Sequence, residues 1–197
     1  GVDYHYGHER DEQSLDADDS VMFTASLTQN LDAGFNKTIL QLANSGYAEQ
    51  MTTFGHGNGL TRDAANNDAE GFRIINWGVL SLGDNIEFGH SIRYAAATNV
   101  DGSDTNDSTF SAVVRPVYKW TEQMRTVVEI GGFTETINDV DSAGSKFTVA
   151  QAWVPKPGFW ARPEIRVFAT YINDAKNEDA FGTGVDDEIS IGMQAEA

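Results

Sequence analysis

The chain has 197 residues, of which 30 are Asp or Glu and 13 are Lys or Arg, for a formal net charge of −17. That balance argues against a nucleic-acid partner, because a face that binds phosphate backbones must be basic. Cysteine is absent, which excludes disulfides, thiolate metal sites and cysteine nucleophiles.

Gly1 to His8 alternates from its second residue, with Val2, Tyr4 and Tyr6 on one parity and Asp3 and His5 on the other. Period-2 alternation of this kind marks a strand with one apolar and one polar face. The abrupt start predicts that Gly1 follows further chain, and Gly1 to Glu12 has no apolar core of a signal peptide. Glu9 to Asp19 is a charged loop. Ser20 to Asn30 is a second strand, setting Val21, Phe23, Ala25 and Leu27 against Thr24, Ser26 and Thr28. A tight turn ending at Gly34 leads to a third strand, Phe35 to Asn44, whose parity is mixed.

Ser45 to Gly71 reads as a long polar loop rich in Gly and Asn. Phe72 to Leu82 and Ile86 to Ala97 form a hairpin about the Gly83-Asp84-Asn85 turn. After an acidic loop, Thr98 to Asp107, the strand Ser108 to Trp120 alternates most cleanly, with Phe110, Ala112, Val114, Pro116, Tyr118 and Trp120 on one face. A short turn precedes Met124 to Ile137, and Asn138 to Ser145 is expected as a loop. Lys146 to Asn173 is a hairpin around an aromatic turn bracketed by prolines, with Trp160 at its centre. Asp174 to Asp187 is an acidic loop, and Glu188 to Ala197 is the last strand.

These segments amount to about ten strands joined alternately by long acidic loops and short turns, the asymmetry of bacterial membrane barrels. No run approaches the roughly 18 apolar residues of a spanning helix. Most segments instead match the roughly 9–11 residues that cross hydrocarbon as a tilted strand. Tyr94, Tyr118, Trp120 and Tyr171 fall near strand ends on the apolar parity, where an interfacial girdle belongs. The predicted fold class is therefore all-β: a transmembrane antiparallel β-barrel whose apolar face meets outer-membrane lipid. The competing fold is a soluble β-sandwich that buries the same apolar parity as its core.

LDAGFNK, GVLSLGDN, VVRPVYKWT, VVEIGG and FWARPEIRVFATY resemble, in that order, the second half of the maltoporin family, the maltodextrin-selective outer-membrane porins. The closing GMQAEA resembles that family's last strand, short of its terminal aromatics, and the long loops match less well. The resemblance implies a single barrel segment over residues 1–197, without a second domain, within a barrel of about 16–18 strands, the size that leaves an aqueous channel. It also implies a homotrimer, a channel rather than an enzyme, and no cofactor. By the same resemblance, Phe35 in GFNK and Trp160 in FWARP match positions of the aromatic slide along which maltose and maltodextrins move. Asn36 is a possible polar sugar contact.

On the polar parity, Glu87, Arg93, Arg115, Lys119, Glu129, Glu164 and Arg166 are expected as mixed-sign lumen charges. Glu87, Glu129 and Glu164 also offer the carboxylates of a glycosidase pair, a feature that any acidic β-protein shares. The histidines lack metal-ligand spacing. Asp101 with Asp104, and Asp139 with Asp141, are oxygen-ligand candidates for Ca²⁺ that lack the spacing of an EF-hand loop. A general, non-specific porin and a soluble carbohydrate-binding sandwich are the alternative functions.

Overall fold

A computed structural model of the chain describes residues 1–7, 17–53, 60–61, 63–156 and 158–196. Ten strands form one sheet in the order of the sequence, each hydrogen-bonded antiparallel to the next. They are β1 (Val2–Gly7), β2 (Ser20–Leu31), β3 (Gly34–Asn44), β4 (Glu70–Ser81) and β5 (Ile86–Thr98), followed by β6 (Asn106–Lys119), β7 (Met124–Ile137), β8 (Val140–Trp153), β9 (Glu164–Asp174) and β10 (Asp187–Glu196). The sheet is open, since β1 pairs only with β2 and β10 only with β9 among the described residues. No helix among them is long and apolar enough to cross a membrane.

Register decides what each face carries. Phe23 pairs with Leu42, Leu42 with Phe72, Ile74 with Tyr94 and Tyr94 with Phe110, so one face is apolar across successive strands. That face is the exposed one: Leu27 is 60% and Ile191 85% accessible. The other face carries Arg73 at 2%, Arg125 at 3% and Glu164 at 1%. This is the reverse of a soluble sandwich, whose charges face water and whose apolar parity is the core. In water so wide an apolar band is an association surface; in hydrocarbon it is solvated. Tyr118 packs edge-on against Trp120 at 4.6 Å, and Trp153 lies at the same sheet end, while Phe72 and Tyr94 pack at 5.7 Å toward the other. The outer face thus carries an aromatic belt toward each end, as an interfacial girdle requires.

The connections alternate with two corrections, the first being the β8–β9 connection of residues 154–163, which is long although it lies at the short-turn end. The β2–β3, β4–β5 and β6–β7 turns at one end are short, and β1–β2, β3–β4, β5–β6 and β9–β10 at the other are longer. At the longer end, however, β7 and β8 meet in a tight turn at Asn138 and Asp139, with φ of 51° and 62°. Two consecutive positive φ values suit the right-handed strand twist of a hairpin, and Asn and Asp tolerate them. Residues 140–145, expected as loop, are therefore strand. In the β2–β3 turn, Gly34 has φ 144°, and a Cβ there would collide with the Val79 carbonyl oxygen.

The β3–β4 connection is ordered where described. It contains a short helix α1 (Ser45–Ala48) and packs Tyr47 and Met51 against Met22 on the inner face. Arg93 Nη2 donates to the carbonyls of Met51 at 2.8 Å and Thr53 at 2.9 Å, tying this connection to the wall. Ala48, Ala69, Ala97 and Val100 form a second small cluster beneath it.

Candidate functional site

The inner face is a wall of paired charges. Alternation puts Glu87 on β5, Arg115 and Lys119 on β6, Arg125 and Glu129 on β7, Lys146 on β8, and Glu164 and Arg166 on β9 toward the same side. Adjacent strands in register then bring opposite signs together. Lys119 Nζ lies 3.9 Å from Glu87, and Glu129 takes Lys146 at 2.7 Å and Arg115 at 3.9 Å. Arg125 pairs with Glu164, which also has Arg166 at 3.5 Å. Each expected carboxylate is thus engaged by a base of its own. The arrangement fixes charge along a wall and does not set up the facing acid and base of a glycosidase. Arg93 serves a different purpose from the other wall charges, because it holds the β3–β4 connection.

The connection from β8 to β9, Val154 to Pro163, is longer than a turn and folds back over the inner face. Val154 N donates to the Gln123 carbonyl at 2.8 Å, and Arg125 Nη1 on β7 donates to the Gly158 carbonyl. Phe159 then reaches across β6, with the Arg115 guanidinium 5.7 Å from its ring centre, to meet Gly89 on β5. Trp160 follows, edge-on to Phe159 at 4.8 Å and 61% exposed.

At the same end, Phe35 stands on the inner parity of β3 just past the β2–β3 turn and packs edge-on against Trp77 of β4 at 5.0 Å. Trp77 and the Phe159–Trp160 pair border one cavity of about 250 Å³, with Ser91, Arg115 and Glu129 on its walls. Apolar ring faces with a few converging polar groups are the chemistry that a sugar ring fits, since its C–H face stacks while its hydroxyls bond alongside. The structure therefore brings Phe35 and Trp160, singled out by resemblance, to opposite ends of one aromatic strip. Trp77 and Phe159 link them and lie outside the sequence expectation. The alternation of β4 carries a signal for Trp77, which shares the parity of Arg73; nothing local marks Phe159.

Asn36 takes the opposite parity from Phe35, and its Nδ2 donates to Gln29 Oε1 at 3.1 Å on the outer face. A one-residue step along a strand reverses the face, so the structure does not bring Asn36 to the strip. Among the described residues no group of three or more His, Cys, Asp or Glu side chains is placed to hold a metal. The Asp101 backbone N–H donates to Asn66 Oδ1 at 2.8 Å, and the Asp141 carboxylate accepts from Thr136 at 2.7 Å. Asp101 and Asp104 share no ligand shell, and His90 bonds Asn76 at 2.9 Å on the outer parity.

An antiparallel meander with an apolar outer band, aromatic belts and a charged inner wall bearing an aromatic strip defines a transmembrane β-barrel of the channel-forming kind. Comparison with known proteins fixes the family. The chain belongs to the LamB porin family, whose model matches residues 1–197. It is 50% identical over 200 residues to a maltoporin of Photobacterium profundum, covering 100% of this chain and 47% of that protein. A maltoporin of Vibrio parahaemolyticus is 42% identical over 190 residues, covering 90% of this chain and 69% of its own length. One from Vibrio cholerae is 43% identical over 216 residues, covering 98% and 52%. The chain thus spans about half to two thirds of the length of these relatives.

Proposed function

We propose that the protein is a passive channel of the bacterial outer membrane that carries maltose and maltodextrins along an aromatic strip in its lumen. The observation that carries this reading is the strip Phe35–Trp77–Phe159–Trp160, with Arg115 and Glu129 beside it on the inner wall. Stacking on successive rings is favourable enough to admit a sugar and weak enough at each step to release it, as conduction requires. The relatives' name, maltoporin, supports maltodextrins as the sugar class. Residues 1–197 act as one segment of barrel wall within a closed barrel of about 16–18 strands, since an open edge in lipid would leave backbone groups unpaired. A homotrimer is proposed from the family resemblance alone; chemical cross-linking in detergent, giving dimer and trimer bands and nothing larger, is its test.

Planar-bilayer conductance of the full-length protein with added maltooligosaccharide tests the sugar reading. The expected result is a concentration-dependent block of the ion current. Full conductance without any block would overturn sugar selectivity and leave a general porin. Trp160→Ala is expected to weaken the block by about tenfold, the loss of one well-placed ring. Unchanged affinity would remove Trp160 from the slide.

A further inference from the structure

A cavity of about 540 Å³ opens on the inner face of β6 to β9, and Phe133, Gly131, Gly144 and Val113 are among its lining residues. It lies away from the Trp160 connection, since Phe133 stands near the end of β7 that leads into the Asn138–Asp139 turn. Its volume falls within the range of roughly 300–1,000 Å³ typical of small-ligand sites.

The floor is built by missing side chains. Phe133 pairs in register with Gly144, and a Cβ on Gly144 would fall 2.8 Å from Phe133 Cε1. The ring therefore lies along the wall, over bare backbone, where any other residue would push it into the lumen. Gly131 continues the opening: a Cβ there would sit 2.9 Å from Val113 Cγ2. Glycine weakens a strand interior, and its presence there often marks the close approach of something else.

The rim supplies the polar half. Glu129 and Lys146, paired at 2.7 Å, stand at one side of the cavity, and Glu135, on the same inner parity of β7, completes it. Cation and anion neutralise one another, which favours a neutral ligand rich in hydroxyls. Glu129 also borders the Trp160 cavity, so one carboxylate adjoins both spaces.

We propose that this cavity is a second sugar-ring site on the barrel wall, in which one pyranose of a neutral oligosaccharide stacks on Phe133 and bonds Glu129 and Lys146. The proposal rests on the sugar-channel reading above. The test is maltohexaose block of the full-length protein in planar bilayers, comparing Phe133→Leu, Phe133→Tyr and Trp160→Ala. Phe133→Leu keeps apolar volume but loses the ring face, and is expected to weaken binding roughly three- to tenfold. Phe133→Tyr keeps the ring and is expected to keep affinity.

Parent-like binding by Phe133→Leu overturns the second site. So does an equal loss in both Phe133 variants, which would make the ring a wall-packing element alone. If Trp160→Ala loses affinity while Phe133→Leu does not, the slide stands and this site falls; if maltohexaose blocks no variant and not the parent, the channel reading itself fails. Should Phe133→Leu form no channel, Lys146→Met carries the same expected loss and the same overturning result.

Discussion

Phe159 rests on Gly89: a Cβ at Gly89 would lie 2.6 Å from Phe159 Cζ. Gly89 belongs to β5 and Phe159 to the connection after β8, so the contact spans three strand positions of the sheet. In a flat sheet that separation is about 14 Å at the usual strand spacing. The connection closes it by folding back over β7 and β6, and the Phe159 ring ends where β5 has no side chain. Gly89→Val is expected to displace Phe159 and weaken maltooligosaccharide block by about three- to tenfold, because the Phe159–Trp160 pair moves as a unit. Single-channel titration checks this; parent-like affinity would show that Phe159 adapts without moving Trp160.

The Arg125–Glu164 pair is almost entirely buried, with side chains 4% and 1% exposed. Removing Glu164 leaves the buried Arg125 guanidinium without its counter-ion, at a cost of roughly 3–5 kcal/mol, whereas removing Arg125 leaves Glu164 with Arg166 at 3.5 Å. Glu164→Leu alone is expected to lower the unfolding midpoint in detergent markedly. The double variant Arg125→Met/Glu164→Leu is expected to recover most of the loss, since replacing both charges removes the desolvation cost as well. Equal destabilisation in single and double variants would refute this account.

Arg93 is the wall's hold on the β3–β4 connection through the Met51 and Thr53 carbonyls. Hydrogen bonds to a charged donor contribute about 1.5–3 kcal/mol. Arg93→Gln is expected to accelerate proteolytic nicking of that connection severalfold while the strands stay protected. Mass spectrometry of the limited digest reads this directly, and an unchanged nicking rate would mean other contacts suffice.

Val149 and Thr148 are neighbours on β8 with opposite faces, Val149 opposite Ala169 on the apolar side and Thr148 bonded to Thr170 at 2.8 Å on the inner side. Arg or Lys on a lipid face costs about 2–4 kcal/mol near the bilayer midplane. Val149→Arg is therefore expected to reduce folding into vesicles strongly and Thr148→Arg far less. A reversed order would invert the assignment of faces.

Trp77 joins Phe35 to the Trp160 cavity. Trp77→Ala is expected to shorten sugar residence in the channel about three- to tenfold. Current-noise analysis measures that residence time, and an unaltered value would break the strip at this point.

Much of the wall is legible because strand alternation is local. Val2, Tyr4 and Tyr6, or Phe110 through Trp120, declare their face by parity alone, and a sequential meander needs no long-range information to pair its strands. Phe35 is visible only through resemblance, since the mixed parity of β3 hides its faces; the register with β4 resolves them. Residues 140–145 escape the pattern because a polar, Gly-containing stretch reads as loop, whereas on a charged inner wall polar residues are ordinary strand residues. Asn36 fails by one step of parity, and Trp77 is legible in principle from the face it shares with Arg73.

By itself the sequence determined an all-β chain of alternating strands, with its turns and, through its motifs, its family. Alternation makes two faces but cannot say which is wet. The tertiary structure decided that, leaving the apolar face exposed and burying Arg73, Arg125 and Glu164. It alone decided the meetings of residues far apart in the meander: Phe159 on Gly89, Arg125 on Gly158, and Met51 on Arg93. Those contacts depend on connections folding back over the inner wall, and no local pattern encodes where a connection comes to rest.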